Sequence, residues 1–68
     1  MIKYTPLWVT MKQKGISQYN LINDYGIDKA QLHRLRHDMV IKTTTIDNLC
    51  RILNCQVKDI MEYVPDEK

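Results

Sequence analysis

Apolar residues recur at helical spacing in five successive segments of the chain, and short polar breaks separate them. In the first segment Leu7, Trp8 and Met11 fall on one side of a helix, because residues three and four apart share a face. Thr5, which precedes a proline, predicts the N-terminal cap of this helix. Gly15 predicts its end. This segment is therefore expected to be an amphipathic helix packed on the rest of the domain.

A second, shorter helix is predicted directly after the first. Ser17 is a suitable cap, because its hydroxyl can accept a free backbone N–H of the first turn. Leu21, Ile22 and Tyr25 supply the buried stripe of this helix. Gly26 lies where a left-handed residue commonly ends a helix.

The third helix follows after a turn of only three residues, 26–28. Asp28 is the predicted cap, and Gln31, three positions later, is expected to complete a capping box. Leu32 and Leu35 form the inner edge of the helix. Two helices joined by so tight a glycine-containing turn are typical of a helix-turn-helix.

Residues 37–42 break the helical periodicity and are predicted to form a loop with Ile41 turned inward. A fourth helix is then expected to start within Thr43–Thr45 and to end at Asn54. Its core-facing residues follow the i, i+3, i+4, i+7 pattern and are Ile46, Leu49, Cys50 and Leu53.

A fifth, short helix is predicted around Val57, Ile60 and Met61, before Pro65. The alternation of a half-buried strand appears nowhere over a useful length. We therefore predict an all-α fold, a five-helix bundle with a helix-turn-helix, in which residues 1–68 form a single domain.

The size and composition of the chain limit its function classes. Its 68 residues are enough for one small core, and no segment approaches the roughly 20 consecutive apolar residues of a membrane span. No leader of signal-peptide type is evident, so we expect a cytoplasmic protein. The net charge of +2 is too small to identify a nucleic-acid partner. The charge distribution says more, because residues 1–14 and 29–42 are basic whereas residues 56–68 are acidic.

Cys50 and Cys55 are predicted to be free thiols, since a secreted domain of this size usually carries more cysteines. Their spacing of five does not match the usual zinc pattern. Cys50 is expected in the core and Cys55 at a helix end.

The segment 16–36 resembles the helix-turn-helix of the Cro/repressor-type (XRE-like) family. The resemblance rests on Gln18 at the start of the second helix, Leu21 and Ile22 as its inward pair, Gly26 in the turn and Ile27 between the two helices. Residues 45–60 are similar to the later helices of a compact bacterial and phage subgroup. The resemblance thus covers nearly the whole chain and implies binding to double-stranded DNA.

The third helix is the expected recognition helix, because its N-terminal residues would reach base edges in a major groove. With Leu32 and Leu35 inward, the residues left for base contacts are Lys29, Ala30, Gln31, His33 and Arg34. The predicted phosphate contacts are Gln18, as family members use this position, and Arg36, His37, Lys42 and Thr43 beyond the recognition helix.

Three residues depart from the family pattern. Lys42 stands where a small hydroxyl residue usually caps the fourth helix, so the cap is expected to move to Thr43. Asp28 and Asp38 place negative charge near the predicted DNA face. A helix cap explains Asp28, but the sequence suggests no role for Asp38.

Other interpretations remain open at this point. A small helical bundle could also be a protein-interaction or antitoxin-like adaptor without DNA specificity.

His33 and His37, four apart on one helix, could share a zinc ion, with Asp38 as the nearest third ligand. Trp8 and Tyr25 are predicted to be core residues. An apolar surface of Tyr4, Trp8, Tyr63 and Val64 could support a two-fold dimer.

No catalytic triad, phosphate loop or metal cluster can be recognised, so we predict neither an enzyme nor a cofactor, and no small-molecule substrate. The preferred interpretation is a small prokaryotic or phage transcriptional regulator, repressor-like, that acts by occupying a DNA site.

Overall fold

The computed structural model describes residues 1–66 and contains four α-helices, a single 3-10 turn and a small sheet. Glu67 and Lys68, the end of the acidic stretch, lie outside the described residues. In chain order the elements are β1 (Ile2–Lys3), α1 (Thr5–Lys14), α2 (Gln18–Asn23), α3 (Lys29–Arg36), α4 (Thr43–Leu53), the 3-10 turn (Val57–Asp59) and β2 (Glu62–Tyr63).

The expected fifth helix is wrong, and so is the expectation of no strand. Residues 57–59 form one 3-10 turn, in which the N–H of Ile60 donates to the carbonyl of Val57 at 2.9 Å. The chain then extends into β2, which pairs antiparallel with β1, with Ile2 opposite Tyr63. Two-residue strands are too short for an alternation of apolar and polar residues to be visible in the sequence. The helical spacing that begins at Val57 does not lead to a full helix, because the chain extends to pair with β1.

A single apolar core joins all four helices and the 3-10 turn. Its buried residues include the predicted inward positions of α3 and, apart from the partly buried Cys50, those of α4. They are Tyr4, Leu7, Met11, Leu21, Ile27, Leu32, Leu35, Ile46, Leu49, Leu53 and Ile60. Trp8, Ile22, Ile41 and Cys50 are partly buried and pack against this core. The 3-10 turn is fixed to α1, because the Thr10 hydroxyl donates to the carbonyl of Asp59 at 2.8 Å.

Two aromatic residues lie elsewhere than predicted. Tyr25 is 47% exposed and is not a core residue. Helix α2 ends at Asn23, so Tyr25 lies beyond the segment to which helical spacing applies. Tyr4, assigned from the sequence to an exposed apolar surface, is only 4% exposed and belongs to the core.

The helix ends agree with the sequence in part. Gly15 and Asn54 adopt the left-handed conformation and end α1 and α4, as predicted. Thr5 is not the cap of α1, because the helix already includes it and Tyr4 occupies the cap position. Likewise the cap of α4 remains at Lys42 and does not move to Thr43.

Asp38 has a structural role that the sequence did not suggest. It follows α3 with a φ of 55°, and the N–H of Met39 donates back to the carbonyl of Arg34 at 2.9 Å. Its carboxylate accepts the backbone N–H of Tyr4 at 3.0 Å. The Tyr4 hydroxyl in turn donates to the carbonyl of Met39 at 2.8 Å. We call these two bonds, both donated by Tyr4, the Tyr4–Asp38 clamp, which ties the start of α1 to the loop after α3.

Both cysteines are half-buried free thiols. Burial, with Cys50 alongside, raises the pKa of the Cys55 thiol. Within residues 1–66, the helices are all too short or too polar to cross a bilayer.

The clamp generates a prediction for Asp38. Asp38→Ala should lower the free energy of unfolding by about 2 kcal/mol, because it removes a charge-assisted hydrogen bond and places alanine in a left-handed conformation. Asp38→Gly removes the hydrogen bond but adopts the left-handed conformation without strain, so the free energy of unfolding should fall by about 1 kcal/mol. Asp38→Asn retains an acceptor oxygen and should stay within about 0.5 kcal/mol of the wild type. Urea unfolding measures all three, and equal stability of the alanine and asparagine variants would contradict a role for the clamp.

A second prediction concerns alkaline pH. Burial and the nearby Asp38 carboxylate raise the pKa of Tyr4 above its ordinary value of 10.0. The neutral phenol is therefore favoured in the folded state, so its contribution is complete below pH 10 and declines as the unfolded phenol ionises above it. Tyr4→Phe should be less stable than wild type at pH 8, and the difference should shrink as the pH rises past 10. Tyr19→Phe, at an exposed tyrosine, is the control. A stability difference for Tyr4→Phe that is independent of pH up to 11 would refute the assignment.

Candidate nucleic-acid interface

The turn between α2 and α3 fixes the angle between the two helices. Gly26 has a φ of 73°, a conformation that side chains with a Cβ rarely adopt. The next residue, Ile27, is buried, and its N–H donates to the carbonyl of Leu21 at 2.9 Å. The predicted turn glycine and locking residue are therefore confirmed, but the expected turn length is wrong: α2 already ends at Asn23, so residues 24–28 connect the two helices.

Caps define the starts of both helices. Ser17 caps α2 as predicted, with its hydroxyl oxygen accepting the N–H of Asn20 at 3.1 Å. Asn20 completes the box, because its side-chain oxygen accepts the N–H of Ser17 at 2.9 Å. Asp28 caps α3 as predicted, with its carboxylate accepting the N–H of Ala30 at 3.2 Å. The expected capping box is not formed, because within residues 1–66 the Gln31 side chain accepts no hydrogen bond from the N–H of Asp28.

The outer face of α3 carries the residues predicted to contact bases. Leu32 and Leu35 are buried, so the side of α3 opposite to them faces solvent. Lys29, Ala30, His33 and Arg34 are exposed there, and Gln31 is half-buried at the edge. We define these five residues as the reading face. They lie on one connected surface, with hydrogen-bonding side chains toward the start and middle of the helix.

A hydrogen bond joins the far end of α3 to the start of α2. The Nη1 of Arg36 donates to the Oε1 of Gln18 at 2.7 Å, across 18 positions of sequence. Both residues were predicted to contact phosphates, and the structure brings them together beside the reading face. The sequence contained no signal for this pair, since neither residue belongs to a spacing pattern that includes the other.

Lys42 and Thr43 lie together at the start of α4, where they form a basic edge. Both are exposed, and Lys42 occupies the cap position without a side-chain hydrogen bond to the helix. The first backbone N–H groups of α4 are thus without a side-chain cap, and the helix dipole adds a partial positive charge there. This arrangement suits an anion.

The rings of His33 and His37 are in contact, with centroids 4.4 Å apart and ring planes tilted by 48° to each other. Asp38, considered as a third zinc ligand, instead directs a carboxylate oxygen to the N–H of Tyr4. Across residues 1–66 the structure contains no group of three histidine, cysteine or acidic residues arranged to hold a metal ion. The histidine pair therefore offers two nitrogen donors next to the basic surface, without the third ligand that the sequence suggested.

Both acids near the reading face have structural roles. Asp28 binds the N–H of Ala30, and Asp38 is part of the Tyr4–Asp38 clamp. Each carboxylate thus accepts a hydrogen bond from a backbone N–H and lies at an end of α3 rather than across its outer face.

A groove between α3 and the start of α4 was not foreseen. It has a volume of about 470 Å³ and is lined by Asp28, Gln31, Arg34, Val40, Ile41, Lys42 and Thr45. Arg34 belongs to the reading face and Lys42 to the basic edge of α4, so the groove borders both. Val40 also lines it, and the sequence placed this residue only in a loop.

Comparison with known proteins agrees with this arrangement. Residues 6–66 match the family model of the Cro/C1-type HTH DNA-binding domain. A search of curated proteins finds no match. The chain is similar to the crystal structure of the transcriptional regulator VanUg (Form II), with a TM-score of 0.86 and 25% identity, over 96% of this chain and 87% of that one. With the family match spanning almost the whole chain, and with the turn, caps and exposed α3 face in place, this protein belongs to the Cro/C1-type helix-turn-helix DNA-binding domains.

Proposed function

We propose that this protein binds double-stranded DNA in a sequence-specific manner and acts in the cytoplasm as a small prokaryotic or phage transcriptional regulator, of the repressor type. The observation that carries the proposal is the reading face, which is exposed on a helix fixed by a turn, a cap and the Gln18–Arg36 hydrogen bond. The similarity to a transcriptional regulator over nearly the full chain supports it.

Sequence would be read by hydrogen bonds to base edges in the major groove. Arg34 or Lys29 can donate to O6 and N7 of guanine, and Gln31 can pair with adenine. The methyl group of Ala30 can contact the methyl group of thymine. His33, which lies between Gln31 and Arg34 along α3, would have a secondary role.

Register on the duplex would be set by polar and basic residues at the helix ends. Gln18 begins α2, Arg36 and His37 end α3, and Lys42 and Thr43 begin α4. Their contacts go to phosphates, which carry no sequence information but make the affinity salt-dependent. Regulation would follow from occupancy, because a protein seated on a promoter excludes polymerase.

Two copies would bind as a two-fold dimer, since one motif reads only a few base pairs. Because Tyr4 is buried, we place the dimer surface on the sheet instead. Ile2 and Tyr63 are opposite each other in the antiparallel pair, so their side chains share one face, and Tyr63 is 67% exposed. Met39 is also exposed, and it lines a shallow groove together with Ile2.

The first experiment is selection of bound duplexes from a random pool at two salt concentrations. Arg34→Ala should lose preference at one base position and weaken binding by about 1–3 kcal/mol. Arg36→Ala should weaken binding to all sequences and reduce the salt slope by about 1.

Arg51→Ala is the matched control for this selection, because Arg51 is an exposed arginine that pairs with Asp47 on α4. It should leave the preference and the salt slope unchanged. If no sequence is enriched by the wild type, the adaptor interpretation replaces DNA recognition.

Sedimentation equilibrium tests the dimer. The wild type should show a monomer–dimer equilibrium, and Ile2→Glu should shift it to monomer by placing a charge in the apolar contact. Val9→Glu, which changes an exposed valine of α1 in the same way, should not. A single species of monomer mass at all concentrations would exclude the proposed surface.

A further inference from the structure

Val40 is the most exposed of the large apolar side chains within residues 1–66, at 88%. An isolated exposed valine on a protein surface needs no explanation by itself. Its setting is what distinguishes this one, because the loop that carries it is fixed on both sides and borders a groove next to the reading face.

The loop on the N-terminal side of Val40 is held by the Tyr4–Asp38 clamp. The carboxylate of Asp38 accepts the N–H of Tyr4, and the carbonyl of Met39 accepts the Tyr4 hydroxyl. On the other side Ile41 packs against the core. Val40 therefore lies between two anchored neighbours, and its outward direction is set by the fold and not by a free loop.

Val40 shares the groove with two cations. They are Arg34, a candidate base reader, and Lys42, a candidate phosphate contact, whereas the single acid of the lining, Asp28, accepts the N–H of Ala30 as the cap of α3. In a nucleotide the deoxyribose lies between the base and the phosphate. An apolar side chain that lines one groove with a candidate base reader and a candidate phosphate contact is therefore suited to pack against the sugar that joins base and phosphate.

We infer that Val40 packs against a deoxyribose of the DNA strand that enters this groove. The inference rests on the proposed function and adds a contact by which the site distinguishes DNA from RNA. The C2′ methylene of deoxyribose is apolar, whereas ribose carries a hydroxyl that would lose its water against the valine methyl groups. Arg34 and Lys42, the two cations that line the groove, supply the charge complementarity that brings the strand to it.

The test uses the duplex selected by the wild-type protein and the variant Val40→Ser. Binding should weaken about four- to fifteenfold, the loss expected for roughly one to two buried methylene groups. The salt slope should not change, because no charge is altered. Val57→Ser, at an exposed valine of the 3-10 turn, is the matched control and should bind as wild type.

A scan with single ribonucleotides then identifies the sugar. At one position in each half-site, a ribonucleotide should weaken the wild type and leave Val40→Ser nearly unaffected. A 2′-fluoro nucleotide at that position favours the same sugar pucker as ribose without a hydroxyl, and it should be tolerated by the wild type.

Several results would overturn the assignment. Equal binding by Val40→Ser and wild type would remove the contact, and so would a ribonucleotide effect that persists in the variant. If replacing a thymine by deoxyuridine abolishes the difference between the two proteins, Val40 contacts a base methyl and not a sugar. If Val40→Ser alters self-association but not DNA binding, the residue belongs to a contact between copies. Failure of the wild type to enrich any duplex, by contrast, rejects the proposed function itself.

Discussion

The position of α3 depends on two buried leucines. Leu32 and Leu35 are the residues that this eight-residue helix contributes to the core, so little of its surface is available for anchorage. An isolated helix of this length is not stable in water, and tertiary contacts must hold it. The remaining constraint comes from the ends, where Gly26, the Asp28 cap and the Gln18–Arg36 bond each fix the helix without using its outer face. The same helix can therefore be firmly placed and widely exposed.

The acidic residues illustrate how the structure combines these demands. Carboxylates near a surface that binds a polyanion oppose binding, yet both acids at the ends of α3 satisfy backbone N–H groups. Asp28 lies at the helix N-terminus, where negative charge is favourable. Asp38 tolerates the left-handed conformation that the helix C-terminus requires, and it extends its carboxylate to a residue 34 positions away.

Local rules in the sequence predicted the parts of the fold that depend on neighbouring residues. The cap at Ser17, the turn at Gly26 and the inward leucines of α3 all follow from short-range spacing, and the structure contains each of them. The reading face could be predicted for the same reason, because it is the complement of the inward stripe. Its exposure is observed, whereas its contacts with bases remain a prediction.

The features that escaped prediction depend on residues distant in the chain. The β1–β2 pair joins positions about 60 residues apart, and the Tyr4–Asp38 clamp and the Gln18–Arg36 bond also cross between elements. Tyr25 was misplaced because a helical pattern does not reveal where the helix stops. The position of Val40 required knowledge of both anchors of its loop.

The separation between anchorage and exposure on α3 has a consequence for how such a protein could change its target. Within residues 1–66, the side chains of Lys29, Gln31, His33 and Arg34 form no hydrogen bond or ion pair with the rest of the chain, and the Ala30 methyl lies outside the core. Substitutions at these positions leave the turn, the caps and the buried leucines intact. If the reading face contacts bases as proposed, a new binding preference can arise by replacing a few side chains on one helix, at little cost in stability, and the evolution of recognition would be largely uncoupled from the evolution of the fold.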